Sequence, residues 1–244
     1  MDGVVVLSEV HPGNLAVSNP MYQAVEWFGL IDAKQMSRWK RMGVGGGPSM
    51  LQFVAMCEAK ASARGKALVL RDWSHLDYYG LPYVKAQMGT GLRSSLGNGY
   101  EVVEACTVRH PVDQFVSLSK VPVFEQGGAL DWDLFLDGNL AFAEYAVGCR
   151  DGCGFVRYED LTRDPDGELL KLCGMLGIDF DPGYAERWSR YEYVTGDTVR
   201  SGSEGTRVNE IRPLERKGVD EGLLERFRGD GRYVEVCGLL GYEV

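Results

Sequence analysis

The run Val102-Val103-Glu104-Ala105-Cys106-Thr107-Val108, followed at once by Arg109-His110-Pro111-Val112-Asp113, constrains the fold of this chain more than any other stretch. A mainly apolar segment of this length reads as a strand buried on both faces, as strands of parallel sheets are. Pro111 suits the first turn of a helix, where an N–H is unpaired anyway and φ is already helical. A buried strand feeding directly into a helix is half of a β–α–β crossover. The junction is also suited to hold an anion. Arg109 offers a planar fork of donors, Ser117 adds a hydroxyl one helical turn beyond Asp113, and the helix start contributes free N–H groups. In a purely structural role, Arg109 would instead pair with a local acid.

The same alternation runs through the chain. Residues 4–7 and 67–70 are short apolar strands, the second ending at Arg71-Asp72, and residues 154–157 form another. Asn19-Pro20 opens a helix whose apolar face carries Val25, Phe28 and Ile31. A second helix runs over about 49–63, after a break at 43–48. Beyond Asp164-Pro165, Leu169, Leu172, Cys173 and Leu176 repeat at helical spacing until Gly177 stops the helix. Leu223, Leu224 and Phe227, then Val236, Cys237 and Leu240, mark two closing helices. Residues 194–217 are polar and Arg-rich, and read as a long functional loop. The pattern predicts an α/β fold, a parallel sheet flanked by helices on both faces. The 244 residues suit one domain over 1–244.

A net charge of −9 argues against a general nucleic-acid binder, which needs basic surface, but leaves room for a local basic pocket. No apolar run reaches the length of a membrane span, and no charged-then-apolar leader opens the chain. The six cysteines, at 57, 106, 149, 153, 173 and 237, are scattered; Cys106 and Cys173 fall in apolar periodic segments and read as core. Cys149 and Cys153 lack the partner ligands of a zinc site, so no metal is expected. A reduced, cytoplasmic setting fits best.

Three segments together resemble the sulfotransferases that use phosphoadenosine phosphosulfate (PAPS), in their bacterial and Golgi-type members. They are Arg109-x-Pro111-x-Asp113-x-x-x-Ser117; Gly154-Phe155-Val156-Arg157-Tyr158-Glu159-Asp160-Leu161 with Asp164-Pro165; and Thr195-Gly196-Asp197 through Ile211-Arg212-Pro213-Leu214. The resemblance implies that Arg109 and Ser117 grip the 3′-phosphate, that Tyr158 lies near the adenine, and that Arg207 in the late loop reaches phosphate oxygens. Tyr158 as a buried ring bonded to the following helix is the competing reading. Two bases are open. Ser8-Glu9-Val10-His11-Pro12 resembles the segment with a catalytic glutamate in tyrosylprotein and heparan-type members, and Glu9 follows a strand at the sheet edge where ligands bind. His75, in Arg71-Asp72-Trp73-Ser74-His75-Leu76, occupies a place similar to the catalytic histidine of cytosolic members.

The family's Gly-containing loop for the 5′-phosphosulfate, after its first strand, is missing. Gly43-Val44-Gly45-Gly46-Gly47-Pro48-Ser49 reads as a turn between helices. Residues 4–7 resemble the family's second strand, so the P-loop-NTPase-like fold is expected without its first strand and loop. A start set too late is preferred over a shortened member with impaired donor chemistry.

The resulting expectation is transfer of a sulfuryl group from PAPS to a hydroxyl (or amine) of a small molecule, sugar or peptide, releasing 3′,5′-ADP. A non-catalytic nucleotide-binding or scaffold protein is the alternative. A P-loop kinase relative is disfavoured, because neither G-x-x-x-x-G-K-[ST] nor a magnesium site is present. The acceptor and the oligomeric state are not written in the sequence.

Overall fold

In a computed structural model of the chain, the structure describes residues 2–13, 19–42, 47–80, 85–120, 130–149, 154–188, 211–213 and 218–244. In chain order the elements are β1 (Val4–Val10), α1 (Asn19–Tyr22) running into a π-helical turn (Gln23–Trp27), α2 (Ala33–Met42), α3 (Met50–Ser62), β2 (Ala67–Asp72), α4 (Ser74–Tyr79) and α5 (Gly91–Leu96). There follow β3 (Cys106–Val108), α6 (Pro111–Leu118), α7 (Trp132–Gly148), β4 (Phe155–Arg157), α8 (Tyr158–Arg163), α9 (Pro165–Leu176), α10 (Tyr184–Arg187), α11 (Glu221–Arg228) and α12 (Gly231–Leu240). The chain divides into two compact units: Met1–Ser74, Thr90–Val102 and Asp181–Glu210, and then His75–Gly89, Val103–Phe180 and Ile211–Val244.

In the first unit β1 and β2 pair in parallel, Val4 opposite Ala67 through Leu7 opposite Leu70. Their inner side chains meet α3, giving a core of Leu7, Val10, Ala24, Phe53, Cys57 and Ala61 with no measurable exposure. Full burial of a large apolar side chain stabilises by about 1.5–3 kcal/mol. Helix α3 starts at a capping box: Ser49 Oγ accepts from the Gln52 N–H (3.2 Å), and Gln52 Oε1 accepts from the Ser49 N–H (2.9 Å). The helix expected from Asn19-Pro20 is shorter than its apolar spacing suggests. It widens into the π turn and ends at Trp27, because Gly29 takes φ +55° and Arg64 donates to the carbonyls of Phe28 and Gly29 (2.5 and 2.7 Å). Ile31 is buried outside any helix.

In the second unit β3 and β4 pair in parallel, Cys106 opposite Phe155, Thr107 opposite Val156 and Val108 opposite Arg157. The seventeen-residue α7 lies along α12. Phe115, Trp132, Phe135, Phe227 and Tyr233 form an aromatic cluster, with Trp132 and Phe227 centroids 4.6 Å apart and Phe115 and Phe135 5.0 Å apart. The strand expected over 102–108 begins only at Cys106; Val103 is 50% exposed, and the Glu104 carboxylate accepts from the Tyr145 hydroxyl (2.8 Å). This apolar run feeds two cores, Val102 packing in the first unit and Cys106 and Val108 in the second, and a count of apolar residues does not reveal that break.

Among the described residues the strands form two parallel pairs, not one continuous sheet. The architecture is a helix-rich α/β fold with small parallel sheets. Gly177 (φ +63°) closes α9 in the left-handed conformation expected of it, and α11 and α12 are the two closing helices. Cys106 and Cys173 are core residues, and burial pushes the Cys57 thiol up to about 12. No helix among the described residues is long and apolar enough to cross a membrane, and no group of three His, Cys, Asp or Glu among them could hold a metal.

Candidate functional site

Parallel pairing of β3 and β4 with Val108 opposite Arg157 places the next residues of each strand, Arg109 and Tyr158, side by side at the C-terminal ends of the pair. The Arg109 guanidinium carbon lies 5.0 Å from the centroid of the Tyr158 ring. Such a cation–π contact is worth about 0.5–2 kcal/mol. Arg109 Nε is buried and has no hydrogen-bond partner among the described residues. A buried donor left unpaired costs about 1–3 kcal/mol.

Arg109, Asp113, Val116, Tyr158, Pro213 and Tyr242 stand on the wall of a cleft of about 450 Å³. Its floor is held by Glu159, which uses both carboxylate oxygens. Oε1 accepts the His110 N–H at the start of α6 (2.9 Å), and Oε2 accepts the Tyr242 hydroxyl (2.8 Å). Burial, then the Glu159 carboxylate, pushes the Tyr242 phenol well above its ordinary range, so it remains a donor. His110 caps α6, its Nδ1 accepting from the Val112 N–H at 3.3 Å, and its ring packs 5.1 Å from that of Tyr242.

The other cations of the cleft are occupied. Arg157 donates from Nε to Asp160 (2.5 Å) and from Nη1 to the Gly241 carbonyl (2.6 Å), and Arg163 donates to the second oxygen of Asp160 (3.0 Å). Among the lining arginines, Arg109 is the one without a carboxylate partner in the described residues.

Of the residues expected from sequence, Arg109 and Tyr158 are therefore brought together. Ser117 is half-buried on α6; Asp113 and Val116, not Ser117, are the residues of that helix that line the cleft. Glu9 belongs to the first unit, near the end of β1, with φ +58° and its carboxylate 3.9 Å from Arg71 Nη2. His75 belongs to the second unit, in α4, with its ring 5.8 Å from that of Tyr79. The Tyr79 hydroxyl accepts from Gln114 and Asn139, both at 3.0 Å. Arg207 lies outside the described residues, as does most of the late loop, although Pro213 at its end lines the cleft. Glu159 enters the sequence reading only as part of a motif, and Tyr242 not at all. The signal that marks them is a carboxylate directly after Tyr158 and a tyrosine just past a helix-stopping glycine, and neither spacing reveals their pairing.

The helix-rich α/β fold with small parallel sheets is similar to that of sulfotransferase domains. The chain is similar to the sulfotransferase domain from the curacin biosynthetic pathway, with a TM-score of 0.55 and 17% identity over 98% of this chain and 82% of that one. It is also similar to the sulfotransferase domain from the Synechococcus PCC 7002 olefin synthase, with a TM-score of 0.49 and 17% identity over 91% of this chain and 74% of that one. No protein-family model and no curated protein matches the chain.

Proposed function

We propose that this protein is a sulfotransferase that moves a sulfuryl group from PAPS to an acceptor hydroxyl or amine. The observation that carries the reading is Arg109: a half-buried arginine with no carboxylate partner among the described residues, laid against Tyr158 at the wall of a cleft where two parallel strands end. A phosphate pairs the charge of a guanidinium that has no carboxylate partner among the described residues, and the 3′-phosphate distinguishes PAPS from ordinary adenylates. The residues present therefore fit such a donor. When bound, it supplies the activated sulfuryl group.

The roles of the chain's own residues follow. Arg109 holds the 3′-phosphate, with Arg207 from the late loop as a second donor; Ser117, off the cleft wall, has no direct part in the grip. Tyr158 offers a ring face to the adenine. Glu159 keeps the Arg109 turn and the Tyr242 tail in place. Glu9 or His75 removes the proton of the acceptor, a contribution of about 10²–10⁴ in rate. The medium is cytoplasmic, one domain spans 1–244, and no metal takes part.

Arg109→Ala is expected to weaken 3′,5′-ADP binding by about 10–100-fold, the range of a hydrogen bond to a charged group, and AMP binding far less. Calorimetric titration with the two nucleotides checks this, and equal losses refute the assignment. Sulfate transfer from labelled PAPS to a panel of phenols, sugars and peptides separates the enzyme from a non-catalytic nucleotide binder on the same fold.

A further inference from the structure

We propose that Gln23 is a positioning residue that locks Glu9 in place for proton abstraction; the inference rests on the reading of Glu9 as the base. Between the pairs Leu7–Leu70 and Val10–Asp72, two residues of β1, Ser8 and Glu9, face one residue of β2, Arg71. That is a β-bulge, a device that re-aims a side chain and is common beside active sites. It forces Glu9 to φ +58°, a left-handed conformation that a residue with a Cβ adopts only at a cost. Glycine would sit there unstrained, yet the chain keeps a carboxylate, 3.9 Å from the Arg71 guanidinium.

The Ala67 N–H donates to the Gly3 carbonyl (2.9 Å), so the odd-numbered residues at the start of β1 turn their peptide groups to β2 and Ser8 presents its own to the opposite edge, just before the bulge. Gln23 pairs with that edge. Its Oε1 accepts the Ser8 N–H (2.8 Å) and its Nε2 donates to the Ser8 carbonyl (2.9 Å), so one side-chain amide imitates a strand. Gln23 has no exposure, in a place where an aliphatic residue would be the simpler core choice. It opens the π-helical turn, whose wide bond runs from the Phe28 N–H to the Gln23 carbonyl (3.0 Å). Single π turns inside helices recur at functional sites. A bulge, a left-handed glutamate, a buried amide and a π turn all cost stability, and all converge on the peptide that carries Glu9.

The test is a double-mutant cycle in the full chain, read by thermal unfolding and by kinetics. Gln23→Met keeps the volume and removes both bonds. In the native background the freed bulge relaxes and releases the strain at Glu9, which offsets part of the loss. In a Glu9→Gly background there is no strain to release. Gln23→Met is therefore expected to lower Tm more in the Glu9→Gly background than in the native one. Equal Tm losses in the two backgrounds overturn the clamp. With labelled PAPS and an acceptor from the panel, Gln23→Met is expected to lower kcat roughly tenfold or more while the KM for PAPS stays within about twofold. A parallel rise in KM with kcat unchanged overturns the positioning role. Native-like kcat in Glu9→Gln overturns Glu9 as base, and the proposal with it. The Tm comparison needs no turnover, so it decides the clamp even for a chain that transfers no sulfate, a result that overturns the sulfotransferase reading instead.

Discussion

Glu159 shows how one residue can hold a site together without touching a ligand. Its carboxylate accepts the His110 N–H and the Tyr242 hydroxyl, 49 and 83 positions away in sequence. Removing it leaves two donors unpaired, one at the start of the helix that follows Arg109. Glu159→Ala is expected to lower stability by about 1–3 kcal/mol, and Glu159→Gln by less, since the amide oxygen can still accept from His110. Urea unfolding of the two variants measures the difference. Arg109 and Tyr158 were legible in the sequence because each directly follows an apolar run, and parallel strands bring their ends together. The Glu159–Tyr242 bond was not, because a contact over that separation leaves no periodic trace.

Among the elements, α7 is the least announced by its sequence. Leu134, Phe135, Leu136, Leu140, Ala141 and Phe142 place apolar residues on several sides, so the segment lacks a single stripe. Its packing depends on Gly138. A Cβ there would lie 2.4 Å from the Tyr78 carbonyl oxygen and 2.7–2.8 Å from carbons of the Tyr79 ring, so only hydrogen fits between α7 and α4. Gly138→Ala is expected to destabilise by about 1–3 kcal/mol from overpacking, despite a helix-propensity gain of up to about 1 kcal/mol. Gly148→Ala on the same helix meets no atom within 4 Å and is expected to be neutral or slightly stabilising. Thermal unfolding of the pair separates packing from propensity. Helix boundaries with local chemistry were readable in advance: Ser49 with Gln52 starts α3, and Gly177 ends α9.

For the molecule as a whole, two carboxylate–guanidinium clusters contribute to the response to acid. Asp181 is held below its ordinary value of 3.8 by hydrogen bonds from Arg187, and Asp230, which caps α12, by those from Arg232, which also binds Asp133 and Asp137 (2.7 Å each). A carboxyl depressed in the folded state contributes stability above its unfolded value and loses it as pH falls through the folded one. The urea midpoint is therefore expected to drop as pH falls below about 4, and Arg187→Gln with Arg232→Gln to lower the midpoint at pH 7 and flatten that drop. Melts from about pH 3 to pH 7 check both the sign and the window. By itself the sequence determined the strand-to-helix turn at Arg109, the caps and most helices, because these depend on periodicity and on bonds within a few residues. Only the tertiary structure decided that the strands pair two by two, that residues 102–108 divide between two cores, and that Glu159 meets Tyr242 and Gln23 meets Ser8. Those contacts join residues distant in the chain, and the burial that rewards them exists only once the chain has folded around them.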